Sequence, residues 1–280
     1  MKTFDIHRFG KVLKWTLYYN KSTLTKIIMG FFIAFLALYL LSTDLLFSAS
    51  SSLPDRLTVA ESCTLGVVVV FLFLTPSWIL SNMKDRKSSL DYLMLPATNL
   101  EKFLARIVTV TVFYTLCLIA AQIAADLIQW VVSLFRYPIS QTGLISISLF
   151  ENHSIHFCEI TNGIDSYGRE APYLILGNLM VLTWMIWMHS FYTLGGTVFR
   201  KRAWIITSFI LFVLGFIITF LVVKISSGIM NCSDNVYEVS TMAIEIIIVL
   251  ISLLLAGLNY FLSYKVFCRM QLINNKWVNL

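Results

Sequence analysis

Charge is what this sequence has least of. Only 13% of its 280 residues are Asp, Glu, Lys or Arg, against roughly 25% in an ordinary soluble domain. Hydrophobic residues make up 58%, and the mean hydropathy is +0.79. A chain with so few polar side chains cannot cover its own surface against water. That excludes a soluble enzyme or a free binding module, and it excludes disorder. Proline and glycine are also scarce, at 5 and 12 residues. There is no linker rich in either and no internal repeat, so residues 1–280 read as one integral membrane domain.

Catalytic signatures are missing as well. No G-x-x-x-x-G-K-[ST], G-x-G-x-x-G, H-E-x-x-H or G-x-S-x-G occurs. The chain is therefore not expected to be an enzyme or to hold a cofactor of its own. Glu151, His153, His156, Cys158 and Glu159 lie close together in ENHSIHFCE. The H-x-x-H there lacks a second ligand pair at a zinc spacing, so the segment reads as a solvated loop and no metal is expected. Of five cysteines, Cys158 and Cys232 fall in predicted outer loops. They could form a disulfide or remain two free thiols.

The scarce charges are unevenly spread. Six charge-free gaps of 17, 22, 19, 29, 21 and 19 residues open after Lys26, Glu61, Arg106, Glu170, Arg202 and Glu245. A bilayer-crossing helix needs about 17–25 apolar residues. The predicted fold is all-α, with spans at 27–46, 63–81, 107–128, 173–194, 203–225 and 239–264. An outer loop over 136–172 contains ISISLF, whose alternation favours a short strand or a surface-lying segment. Lys and Arg number 17 on one side of this topology and 4 on the other. The bias places both termini in the cytoplasm. It also accounts for the net charge of +6 without nucleic acid. Before the first span, Phe9, Val12, Leu13, Thr16 and Leu17 form a helical stripe flanked by Arg8, Lys11 and Lys14. This predicts a helix lying in the membrane interface.

Three charges fall within or beside spans: Asp126, Lys224 and Glu245. Either they form an outer-leaflet ion-pair cluster, or Glu245 lines a pathway. His189 reads as a packing residue with a hydrogen-bonded ring. The Met- and Trp-rich stretch Met180–Met188 offers an adaptable apolar surface, for a ligand or for ordinary packing.

The second cytoplasmic loop, KDRKSSLDYLMLPATNLEKFLARI, carries the most specific pattern. Ser88 followed by Asp91 predicts a capped short helix through Leu95, stopped by Pro96. Thr98 followed by Glu101 predicts a second capped helix running into the third span. Leu90, Tyr92, Leu93 and Met94 are apolar knobs beside Asp85, Arg86, Lys87 and Asp91, a combination suited to docking a soluble subunit.

With Leu93, Leu95, Pro96, Ala97, Thr98, Asn99 and Lys102 in this loop and six spans around it, the chain resembles the permease subunits of bacterial ABC-2 type transporters. The resemblance implies a homo- or heterodimer of six-span subunits in the bacterial inner membrane. Each subunit would dock on a separate ATP-binding subunit that holds ATP and Mg. Residues Arg86–Asn99 would form the coupling helix. Arg86, Leu90, Asp91, Tyr92, Leu93, Pro96 and Glu101 would carry the coupling, and an amphipathic or hydrophobic substrate would be exported by alternating access. The chain departs from the pattern between the fifth and sixth spans. There Ser226–Glu238 is too short for a re-entrant hairpin, and the larger excursion lies between the third and fourth. The alternative, from another class, is a membrane scaffold or stress sensor with no ATP-binding partner.

Overall fold

The computed structural model describes residues 4–42, 53–83, 86–136, 143–149, 171–199, 202–230 and 241–269. Among the described residues the chain is helical and has no strand. The helices are α1 (Ile6–Tyr19), α2 (Lys21–Leu40), α3 (Leu53–Leu74), α4 (Arg86–Leu93), α5 (Asn99–Val108), α6 (Tyr114–Arg136), α7 (Ala171–Val198), α8 (Ala203–Met230) and α9 (Thr241–Arg269). Five helical stretches are long and apolar enough to cross a membrane: Lys21–Leu40, Thr58–Trp78, Asn99–Phe135, Ala203–Phe220 and Glu245–Arg269. They correspond to five of the six expected spans. The expected span at 173–194 does fold as helix, within α7, but it is not among the five.

The chain divides into two compact units. The first comprises Met1–Thr75 and Pro96–Ala171. In it α1 begins at Asp5, whose extended backbone and side chain form an N-cap that accepts a hydrogen bond from His7 N (2.9 Å). Asn20 ends α1 and opens α2. Its N–H and its side-chain amide both donate to Thr16 O, and its own carbonyl accepts from Leu24 N (2.9 Å). The predicted apolar stripe is there, with Val12 and Thr16 buried. α1 packs against α5, so protein covers the buried part of this face. The reason is that α5 presents a complementary face that buries Phe103 and Ala105 beside Glu101, Lys102 and Arg106.

α5 continues into α6 through a π-helical turn at Thr109–Phe113. One extra residue in a turn rotates everything after it by about 100°. The rotation gives α5 a face for α1 and α6 a face for α2, and both pairings occur. Along α2 the rings of Phe31, Phe35 and Tyr39 stack at four-residue intervals. Phe31 meets Phe71 of α3 edge-on, with centroids 4.6 Å apart.

The ISISLF segment does not form a strand. Residues 145–149 make a helical turn, and its first two amides, Ile145 N (3.1 Å) and Ser146 N (2.8 Å), donate to the two oxygens of Asp126. A carboxylate from α6 thus supplies the cap that the local alternation gave no hint of.

The second unit comprises Pro76–Leu95 and Pro172–Leu280. α7 is tied to α8 by Tyr192 and Ser208 (2.9 Å). It is tied to α9 by His189 Nδ1 and Tyr260 OH (2.7 Å), and by Asn259 Nδ2 donating to Ser190 Oγ (3.1 Å). Polar pairs of this kind hold helices together where apolar side chains gain nothing by leaving lipid. Between α7 and α8 the chain turns at Arg202, whose φ is +51°. Its carbonyl accepts from Ile205 N (3.0 Å), which fixes the start of α8. A left-handed backbone costs a non-glycine residue about 1–2 kcal/mol. Arg202→Gly is therefore expected to raise stability by about 1 kcal/mol, read as a higher unfolding temperature of the purified protein. Arg202→Val should lower it.

Candidate functional site

Two arrangements in the first unit concentrate polar chemistry. One lies at the start of α5. Thr98 caps the helix in a reciprocal capping box: Glu101 N donates to Thr98 Oγ1 (3.2 Å), and Thr98 N donates to Glu101 Oε2 (2.9 Å). The other carboxylate oxygen, Oε1, accepts from Asp5 N (2.8 Å) and from Arg8 Nη2 (2.9 Å). Glu101 is completely buried in this node. One side chain caps α5, satisfies the amide at the start of α1 and pairs with a guanidinium of α1. The capping box is local and was legible in sequence. The partners Asp5 and Arg8 lie more than 90 residues away, and nothing in the sequence marks them.

The second arrangement is a polar seam on the buried face of α6. Gln122, Asp126, Gln129 and Ser133 follow at spacings of four, three and four, one face of a helix, and all are buried. Above them on the same face Tyr114, Leu118 and Ala121 are buried and largely apolar. Opposite the seam, the Tyr39 and Thr64 hydroxyls hydrogen-bond at 3.2 Å, and Gln122 and Asp126 neighbour the Tyr39 hydroxyl. Glu61, on α3, is buried too. Sequence reasoning singled out Asp126 but missed Gln122, Gln129, Ser133, Tyr39 and Thr64. The signal was available: four polar residues at heptad spacing within an otherwise apolar helix.

The remaining predicted residues are placed as follows. Asp126 is bonded to backbone amides. Lys224 is exposed, with its ammonium over the Phe220 ring at 6.0 Å. Glu245 is half-buried, and its Oε2 is enclosed with no hydrogen-bond partner. Cys158 and Cys232 lie outside the described residues, as does the ENHSIHFCE segment. Among the described residues no group of three His, Cys, Asp or Glu could hold a metal ion.

In the second unit the loop helix exists with shifted bounds. α4 runs from Arg86 to Leu93, so Ser88 sits inside it and the expected Ser88 cap is corrected. Its end comes early because a residue before proline disfavours helical backbone. Met94 N still reaches Leu90 O (2.9 Å), but Leu95 N makes only a long contact to Tyr92 O (3.4 Å). α4 packs on the short turn Ser81–Met83, where Ser89 Oγ donates to Met83 O (3.0 Å). Asp91, Met94 and Pro96 are exposed, with Met94 at 79%. Leu90 and Leu93 are half-buried, and Tyr92 is buried. Tyr92 is thus a structural residue of this chain, and the apolar group offered to solvent is Met94.

These features define the class: a multi-pass helical membrane protein with a polar seam inside its helices. No family model, curated protein or solved structure matches the chain.

Proposed function

We propose that the chain is the membrane-spanning permease subunit of an ATP-driven transporter of the ABC-2 type. On this reading α7 is the fourth span and brings the total to six, since its 28 residues reach about 42 Å at 1.5 Å per residue. Both termini are cytoplasmic. ATP hydrolysis takes place on a separate ATP-binding subunit, and a second six-span permease completes the dimer. The substrate is amphipathic or hydrophobic, and it is exported by alternating access.

The observation that carries the reading is the start of α5. A short helix ends before Pro96, and two residues later a doubly bonded cap opens a helix that continues through a π turn into a long apolar helix. A push delivered at Pro96–Thr98 enters a stiff element that α1 braces through Glu101. Asp91 and Met94 are the exposed contact pair: an apolar group to fill a cleft and a charge to set register.

The test is copurification. Asp91→Arg with Met94→Asp should leave the chain inserted and its unfolding temperature unchanged, because both side chains are exposed. Affinity for an ATP-binding subunit should fall at least tenfold, about 1.4 kcal/mol, and substrate-stimulated ATP hydrolysis should fall with it. If the wild-type chain brings down no ATP-binding subunit, the transporter reading fails and the scaffold reading takes its place.

A further inference from the structure

The seam on α6 has more acceptors than the chain fills. Asp126 is 1% exposed. Its oxygens accept one neutral amide each, from Ile145 and Ser146, whereas a carboxylate has about four acceptor positions. One turn further along the same face lies Gln129, 4% exposed, whose Oε1 has no hydrogen-bond partner. Ser146, whose amide bonds Asp126, has a buried hydroxyl that also lacks a partner. A cluster that only held helices together would satisfy its members with one another, because an unfilled buried acceptor is costly. Here the Ser146 hydroxyl belongs to a residue bonded to the Asp126 carboxylate, and the Gln129 amide carbonyl lies one turn along the same helix face, each with acceptor capacity to spare.

We propose that this part of the seam is a binding site for one small monovalent cation, held by the Asp126 carboxylate, the Gln129 side-chain carbonyl and the Ser146 hydroxyl. Hard cations take oxygen ligands of these three kinds. The charge balance selects the valence: one carboxylate neutralises one positive charge, and an uncompensated charge inside hydrocarbon is expensive. A divalent ion would leave a net charge buried. The inference concerns this site alone and does not depend on the transporter reading.

The test is thermal unfolding of the purified full chain in lipid nanodiscs, at constant ionic strength, in sodium, potassium or N-methylglucamine chloride. Sodium or potassium should raise the unfolding temperature saturably, by about 3 °C at ten times the dissociation constant. N-methylglucamine is too large to enter and should not. Asp126→Asn should abolish the response. Because that variant also weakens the cap on residues 145–149, Gln129→Leu and Ser146→Ala carry the decision. Neither removes a bond described around Asp126. Each should move the cation midpoint at least tenfold upwards, with unfolding in N-methylglucamine close to wild type. Equal unfolding in all three salts would mean that water fills the space, and it would overturn the proposal. So would a midpoint unchanged in both variants, or a response to magnesium or calcium alone.

Discussion

Gly196→Ala is expected to destabilise the protein by about 2 kcal/mol or more, and no partner substitution should rescue it. A Cβ at Gly196 would lie 2.7 Å from Ser77 O and 2.8 Å from Ser77 C and Cα, all of them backbone. Alanine is worth about 1 kcal/mol over glycine inside a helix, but overpacking against a rigid neighbour costs about 1–3 kcal/mol or more. The neighbouring Gly195 behaves differently. Its Cβ would collide with the Thr207 side chain. Thr207 Oγ1 donates only to Ala203 O within its own helix (2.7 Å), so trimming it sacrifices little. Gly195→Ala alone should therefore lower the unfolding temperature, and Gly195→Ala with Thr207→Ala should recover only part of the loss, because the Thr207 Cβ itself would lie 2.9 Å from the new Cβ. Gly30→Ala and Gly257→Ala, where a Cβ meets nothing within 4 Å, should be neutral or slightly stabilising. If Gly196→Ala unfolds like those two controls, the close approach of α7 to the Ser77 backbone is refuted.

Glu101→Ala should cost about 3 kcal/mol and free α1 from α5. The substitution deprives Thr98 N, Asp5 N and Arg8 of a shared acceptor at one stroke. Hydrogen bonds to a charged group contribute about 1.5–3 kcal/mol, and breaking a fully buried pair costs about 3–5 kcal/mol. Arg8 is 25% exposed and water can partly replace its partner, so the lower part of that range applies. Glu101→Gln keeps one acceptor oxygen but sets its NH2 against either Thr98 N or Asp5 N and Arg8, so it should lose about 2 kcal/mol. The decisive measurement is a cycle of Arg8→Ala, Glu101→Ala and the double variant, read by thermal unfolding and by protease cleavage within residues 6–19. A coupling energy of about 1–2 kcal/mol is expected, with cleavage rising in every variant that lacks Glu101. Additive effects and an uncut α1 would show that the node does not hold the two helices together.

The helical character of the described residues and their long apolar stretches were legible in the chain because their determinants are local. Charge-free runs of bilayer length, the Thr98–Glu101 box and the stop at Pro96 each act within a few residues, so they read directly as helices, a cap and a break. The α1 stripe was equally legible, because helical periodicity is a property of the segment itself. What covered the stripe was not. Lipid and α5 are both apolar enough to accept Val12, and only the packed structure chose α5.

Tertiary structure also decided the fate of each scarce charge. Asp126 looked like one member of an ion-pair cluster with Lys224 and Glu245, since spans bring distant carboxylates and ammonium groups to similar depths. In the fold its oxygens take the first amides of a turn that the alternation of ISISLF disguised as a strand. Glu101 was legible as the cap of the helix entering the third span and as a carrier of coupling, but its bonds to Arg8 and Asp5 were not. Periodicity tells which residues share a face. Which face meets which depends on the π turn at Thr109–Phe113, on the close approach at Gly196 and on chain segments some ninety residues apart, and no local pattern carries that information.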